Sequence, residues 1–171
     1  MKKLKFLALG LVAAFGFAAC GSEDPEDQQT KENTYKQSTV VMGGAASANG
    51  SFYTIDGVKN KAGVAENGEI VVFCFQTLDD NYRFISGTEA TNEIVKAKAS
   101  KTLFVQIGDA TGKKFEKVDW KDGKTTIDIT KKMDDGKKAV AFKNEKLEGF
   151  FEIVSYEPTT EDLTLNVWIK E

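Results

Sequence analysis

From Ser38 to the C-terminus the chain alternates short runs rich in Val, Ile, Phe, Thr and Tyr with clusters of Gly, Asn and Asp, the rhythm of short strands separated by turns. The last run shows it most plainly. Leu163, Leu165, Val167 and Ile169 share one face while Thr164, Asn166, Trp168 and Lys170 share the other, so it reads as a strand with one buried side. Ile70 to Phe75 is apolar on both faces, which marks a central strand, and Phe150, Phe151, Ile153 and Val154 likewise fill both faces of their segment. Strands are expected near 38–42, 51–55, 69–77, 82–85, 102–108, 115–120, 124–130, 138–144, 149–156 and 162–170. This pattern predicts an all-β fold: an antiparallel β-sandwich, or a barrel-like variant, with short hairpins and at most one short helix.

Two turns allow a check of register. A type I′ turn at Asp122-Gly123 pairs Val118 with Ile127 and Lys117 with Asp128, so apolar meets apolar on one face and opposite charges meet on the other. A second turn at Asp135-Gly136 pairs Ile129 with Phe142 and Asp128 with Lys143, which joins the two hairpins into one meander. In that register Lys131 falls opposite Val140, which argues for a wider second loop. Residues 56–68 are polar and Gly-rich and read as a long connection with room for one helical turn. In 86–100, Ser86 and Glu89 have capping-box spacing, and Ala90, Ile94, Val95 and Ala97 fit a short amphipathic helix; an edge strand remains the alternative there.

The N-terminus follows other rules. Lys2, Lys3 and Lys5 precede an uncharged run from Phe6 to Ala19, too short for the roughly 20 residues of a spanning helix and shaped like a secretory signal over 1–19. Phe17-Ala18-Ala19-Cys20-Gly21 resembles the cleavage region of a bacterial lipoprotein signal, in which the exposed cysteine is acylated; an ordinary signal peptide is the alternative. That resemblance implies a membrane partner engaged through lipid on Cys20, and two or more acyl chains at about 0.8 kcal/mol per buried CH₂ anchor stably. Residues 20–37 open with Ser22-Glu23-Asp24-Pro25-Glu26-Asp27 and stay polar, so they read as a flexible acidic tether ahead of a single domain at 38–171. The acidic cluster resembles the surface-export signal of Bacteroidota lipoproteins, which implies an outer-membrane protein facing the cell exterior; a solvating linker is the plainer reading. Gly43-Gly44-Ala45, Gly50-Ser51-Phe52-Tyr53 and Ile70-Val71-Val72-Phe73 are similar to the opening of uncharacterised Bacteroidota lipoproteins, which implies a β-rich exported domain.

With 171 residues, 41% hydrophobic, and two Pro, the chain has the makeup of one globular domain. Its chemistry is narrow. The absence of His excludes Ser-His-Asp and Cys-His nucleophiles and every imidazole-ligated metal, leaving carboxylate, Lys or Tyr chemistry. Among 26 Asp and Glu no pair stands out for glycoside hydrolysis, so no catalytic residue, metal ligand or cofactor is assigned. Once Cys20 carries lipid, Cys74 has no disulfide partner and reads as an inert residue of a buried strand. Arg83 is the single arginine beside 22 lysines, and losing the signal lysines takes the formal charge from −3 to −6, so nucleic acid is not an expected partner.

Aromatic side chains are the remaining candidates for ligand contact. Trp168 shares a polar face, and Tyr82 adjoins the Asp79-Asp80-Asn81 turn, which lacks the spaced ligands of a calcium loop. Trp120 lies beside Val118 on the apolar face and is expected to be buried. These features point to a noncatalytic binding or interaction module for an extracellular glycan, protein or other nutrient ligand. A structural component of a surface assembly is the alternative, and a carboxylate-dependent glycan hydrolase a more distant one.

Overall fold

The computed structural model describes residues 34–44, 47–67, 70–78, 81–107, 118–130 and 139–171. Its strands are β1 (Tyr35–Gly43), β2 (Phe52–Thr54), β3 (Gly57–Lys59), β4 (Val71–Leu78), β5 (Asn81–Ser86), β6 (Leu103–Gln106), β7 (Thr126–Asp128), β8 (Ala139–Lys143), β9 (Glu148–Glu157) and β10 (Asp162–Lys170). They form two five-stranded antiparallel sheets, one ordered β1-β10-β9-β8-β6 and the other β3-β2-β4-β5-β7. The run apolar on both faces is β4, the middle strand of its sheet, as its pattern requires. Neither sheet closes into a barrel. One segment nonetheless joins them: Lys124 exchanges backbone bonds with Phe104 of β6 (2.8 and 3.0 Å), and two residues later the chain pairs with β5 as β7.

Both sheets contribute to one core. Val40, Met42, Phe104, Val140, Phe142, Phe151, Ile153, Leu163, Leu165 and Val167 come from the first sheet, and Tyr53, Val72, Phe73, Phe75 and Phe84 from the second. The alternation read in β10 appears as its burial pattern, with Leu163, Leu165 and Val167 fully buried. Phe73 is the hub. Its ring stacks on Tyr53 at 4.7 Å and meets Phe84, Phe104, Phe142 and Phe151 at 5.2 to 6.1 Å, so one side chain contacts aromatics of both sheets. A bulge between β2 and β4, where Tyr53 faces Phe73 but Thr54 faces Val71, leaves Val72 over and turns it inward beside Phe73.

The second sheet's outer face is apolar and covered. Val71, Cys74 and Ile85 pack under Val64 of α1 (Lys61–Asn67) and Val95 of α2 (Glu93–Ala97). The helix weighed for 86–100 is therefore present, capped by Asn92, whose Oδ1 accepts from the Ile94 and Val95 N–H groups. The expectation of at most one helix fails at α1, in a stretch read as a connection. Val64 is that helix's only fully buried apolar side chain, too weak a signal to read as a face, yet the outer face of β4 needs cover. Lys98 holds α1 down from α2 by donating to Val64 O and Ala65 O, both at 2.9 Å.

The expected meander does not form. Trp120–Asp122 is a 3-10 turn capped by Asp119, and Gly123 has φ −62, whereas a type I′ turn needs positive φ at both central residues. Val118 and Trp120 are not in a strand, and 115–117 and the Asp135-Gly136 turn lie outside the described residues. Ile127 pairs with Phe84 and Asp128 with Arg83, while Phe142 pairs with Phe104 and Gly149. Local counting failed because a distant partner satisfies the same alternation: Ile127 packs against the core and Ile129, Val140 and Phe142 lie within it, from different sheets. β1 begins at Tyr35, inside the stretch read as tether, and β3 is a short strand that the pattern of 56–68 did not disclose.

Phe73→Ala should lower stability by about 3–5 kcal/mol through the cavity it leaves between the sheets. Val154→Ala, at a half-exposed bulge in β9, should change it by no more than about 0.5 kcal/mol. Urea denaturation of both variants measures the contrast.

Candidate functional site

Residues beside three connections meet at one end of the domain: Gly44 and 47–50 between β1 and β2, Thr77 and Leu78 at the end of β4, and 158–161 between β9 and β10. Their meeting follows from pairing, since Gly43 lies opposite Asp162 and Leu78 opposite Asn81. The Gly43 N–H donates to Gly50 O (3.0 Å) and the Gly44 N–H to Glu161 O (2.9 Å), which ties the first loop to the third. Gly50 permits this because a Cβ there would collide with the Lys59 carbonyl.

Asp162 organises the rim. Its Oδ1 accepts from the Ser47 hydroxyl and from Asn49 Nδ2 (2.9 Å), and its Oδ2 from Thr160 Oγ1 (3.0 Å). These hydrogen bonds, that from Ser47 foremost, hold its carboxyl below the usual range despite a small opposing effect of burial. Glu161 closes the four-residue loop with φ 55, a left-handed conformation uncommon for a residue with a side chain. Its Oε2 accepts from Thr77 Oγ1 (3.1 Å), which adds β4 to the assembly. Leu78 is 50% exposed beside it.

Tyr82 lies at the same end but is committed to packing. Its N–H donates to Thr130 Oγ1 (2.9 Å), its carbonyl accepts from the Ile129 N–H (2.8 Å), and its ring meets that of Tyr156 at 4.7 Å. Both rings pack against the core and are half-buried, so only part of the Tyr82 ring is open to a ligand. Trp168 is elsewhere. It stacks flat on Phe150 (4.7 Å, 10°) on the outer face of the first sheet, and Phe150 meets Tyr35 edge-on at 5.5 Å. Ala139, Ala141, Ile107, Val118 and Trp120 complete that cluster, with Lys143 Nζ 5.8 Å from the Trp120 ring. Trp120, expected to be buried, is half-buried there with Val118. Tyr156 pairs with Leu163, five residues or about 17 Å along β10 from Trp168, and on the other face. The two aromatic candidates thus do not form one site.

Cys20 and Asp79-Asp80 lie outside the described residues. Cys74 is 1% exposed, and burial pushes its thiol up to about 12, which keeps it protonated and unreactive at neutral pH. Among the described residues no three Asp, Glu or Cys side chains gather as metal ligands, and no helix is long and apolar enough to cross a membrane. A shallow groove of about 380 Å³ lies between α2 and the β8–β9 turn, lined by Ile70, Ala97, Lys98, Ala99, Ser100, Glu145 and Lys146. Sequence reasoning named neither this groove nor the rim. Ser47, Asn49, Thr77, Glu161 and Asp162 are common polar residues spread over more than a hundred positions; the pairing of β1 with β10 brings the first two to the last two, and Thr77 joins them from the other sheet. No protein-family model, curated protein or solved structure matches the chain.

Asp162 makes the rim sensitive to acid. A carboxyl with a lowered pKa in the folded state contributes stability that is present above its unfolded pKa and is lost as pH falls through the folded one. Asp162→Asn should therefore melt below the parent protein at neutral pH, and the gap should close as pH drops through the depressed pKa. Thermal melts from pH 7 to pH 2 measure it.

Proposed function

We propose that the chain is a noncatalytic, lipid-anchored surface protein whose two sheets pack as a β-sandwich and display an interaction module, with the loop rim around Asp162 as its contact face. The rim carries the reading. Loops fixed by Ser47, Asn49, Thr77 and Thr160 to one pair of carboxylates present a shaped polar surface with little ordering left to do on binding, the arrangement that rigid scaffolds use for recognition. Its polar donors and acceptors, with Leu78 exposed beside them, suit a hydroxyl-rich glycan or a polar protein surface. A hydrolase finds less support, because a general acid needs a raised carboxyl pKa and that of Asp162 is lowered. The anchor at Cys20 and an outward-facing place on the outer membrane belong to the same proposal and rest on the signal and acidic segment.

A second reading, a structural component of a surface assembly, is favoured by β1, nine residues long at the edge of its sheet.

Residues 33–171 form a compact unit of their own and suit a melting-temperature screen against glycans and extracellular protein fragments. A ligand at a hundred times its Kd should add about 2.7 kcal/mol, or several degrees, and Asp162→Ala should abolish that shift. A cooperative melt unmoved by every class would refute the module and leave the assembly reading. The anchor is tested apart from this: Cys20→Ser should end palmitate labelling and release the protein from the membrane fraction.

A further inference from the structure

β1 bonds to β10 along one side only. At one end the Glu171 N–H donates to Thr34 O (3.0 Å), and at the other the Gly44 N–H donates to Glu161 O (2.9 Å). Bonding alternates in an antiparallel pair, so the even-numbered residues of β1 bond to β10 and the odd-numbered ones direct N–H and C=O away from it. Gly43 shows this directly, since its outward N–H is taken by Gly50 O. Gln37, Thr39 and Val41 turn the same groups outward with no partner among the described residues. Sheet edges are commonly blunted by Pro, bulges or several charges; β1 has no Pro, no register shift and one charge, Lys36.

We infer that this edge pairs antiparallel with β1 of a second copy of the chain, about a two-fold axis at Ser38. Only outward-directed residues can exchange bonds across the axis, and an axis at Lys36 or Val40 would fully pair just two of them, so the extended pairings have it at Gln37, Ser38 or Thr39. An axis at Thr39 sets Tyr35 against Gly43, whose N–H is already taken, and one at Gln37 sets Val41 against residue 33, beyond the strand. The axis at Ser38 sets Gln37, Thr39 and Val41, whose outward groups have no partner among the described residues, each against an outward-directed residue of the partner's β1. Gln37 exchanges bonds with the partner's Thr39, and Tyr35, already braced by Phe150, covers the partner's Val41, which is 40% exposed in the single chain. Lys36 faces the partner's Val40, so no like charges meet. The two chains enter the pair at Tyr35, from points about 20 Å apart along the strands. Residues 20–33 reach up to about 45 Å when extended, so both proposed anchors fit one membrane, where confinement raises the local concentration. Only this last step rests on the lipid anchor.

The test is disulfide capture of the full-length chain on cells, with Gln37→Cys, Ser38→Cys and Thr39→Cys introduced singly. Ser38 meets its own symmetry mate in the closer, non-bonded type of pair, with Cα atoms about 4.5 Å apart, within disulfide range. Ser38→Cys should give the strongest dimer band on non-reducing gels. Gln37→Cys and Thr39→Cys should each crosslink poorly alone but well when the two are expressed together. Because Ser38 touches Tyr53, the mixed pair carries the test should Ser38→Cys fail to fold. A strongest band at Gln37 or Thr39 alone, equal bands at all three positions, or none would overturn the pairing. Loss of palmitate labelling with intact Ser38 capture would refute the anchor and leave the dimer standing.

Discussion

The contact of one ring with both sheets holds the rest of the domain in place. Phe73 projects from the central strand of the second sheet onto Phe104, Phe142 and Phe151 of the first, and its stack with Tyr53 fixes the adjacent strand. Because β4 is central, anything that moves Phe73 moves β2 and β5 with it. The bulge that adds Val72 to the same surface widens the contact without lengthening the strand. The interior is thus aromatic at its middle and aliphatic toward β10, where Leu163, Leu165 and Val167 finish it.

Each sheet's outer face is treated differently. The second is sealed by α1 and α2, which also explains the buried, protonated Cys74. The first carries an aromatic cluster around Phe150 and Trp168 at one end, and toward the loop rim it presents Thr39, Val41, Thr164 and Asn166, with Thr39 donating to Asn166. Glu148 lies between Lys143 (3.1 Å) and Lys170 (3.7 Å), exposed pairs of the kind that contribute at most about 1 kcal/mol each.

The strand pattern was legible wherever one chemical rule governed a whole segment. β10 alternates because one face is dry, and β4 does not because both faces are, so each could be read from its own residues. The 3-10 turn at Trp120 shows where that logic stops. Its flanking residues fit a local hairpin, but Ile127 and Phe142 find Phe84 and Phe104 instead, partners whose identity no local count contains. α1 escaped notice because Val64 is its one large apolar residue, and its existence answers a need of β4 rather than a preference of its own. The rim was illegible for a related reason. Asp162 is unremarkable until Ser47 and Asn49 arrive from the other end of the chain.

That arrival depends on β1. Pairing of residues 35–43 with 162–170 closes a loop over nearly the whole domain, so it carries the loop-closure entropy of a long separation. Once docked, β1 acts at both ends. Met42 enters the core near its C-terminal end, while Gly43 and Gly44 pin the first loop to Gly50 and Glu161 and so bring Ser47 to Asp162. Its N-terminal end continues directly into the segment that leads back to Cys20. The strand that links the domain to its proposed anchor is the same one that assembles the rim, so pulling β1 away from β10 would dismantle the candidate contact face before disturbing the aromatic centre around Phe73.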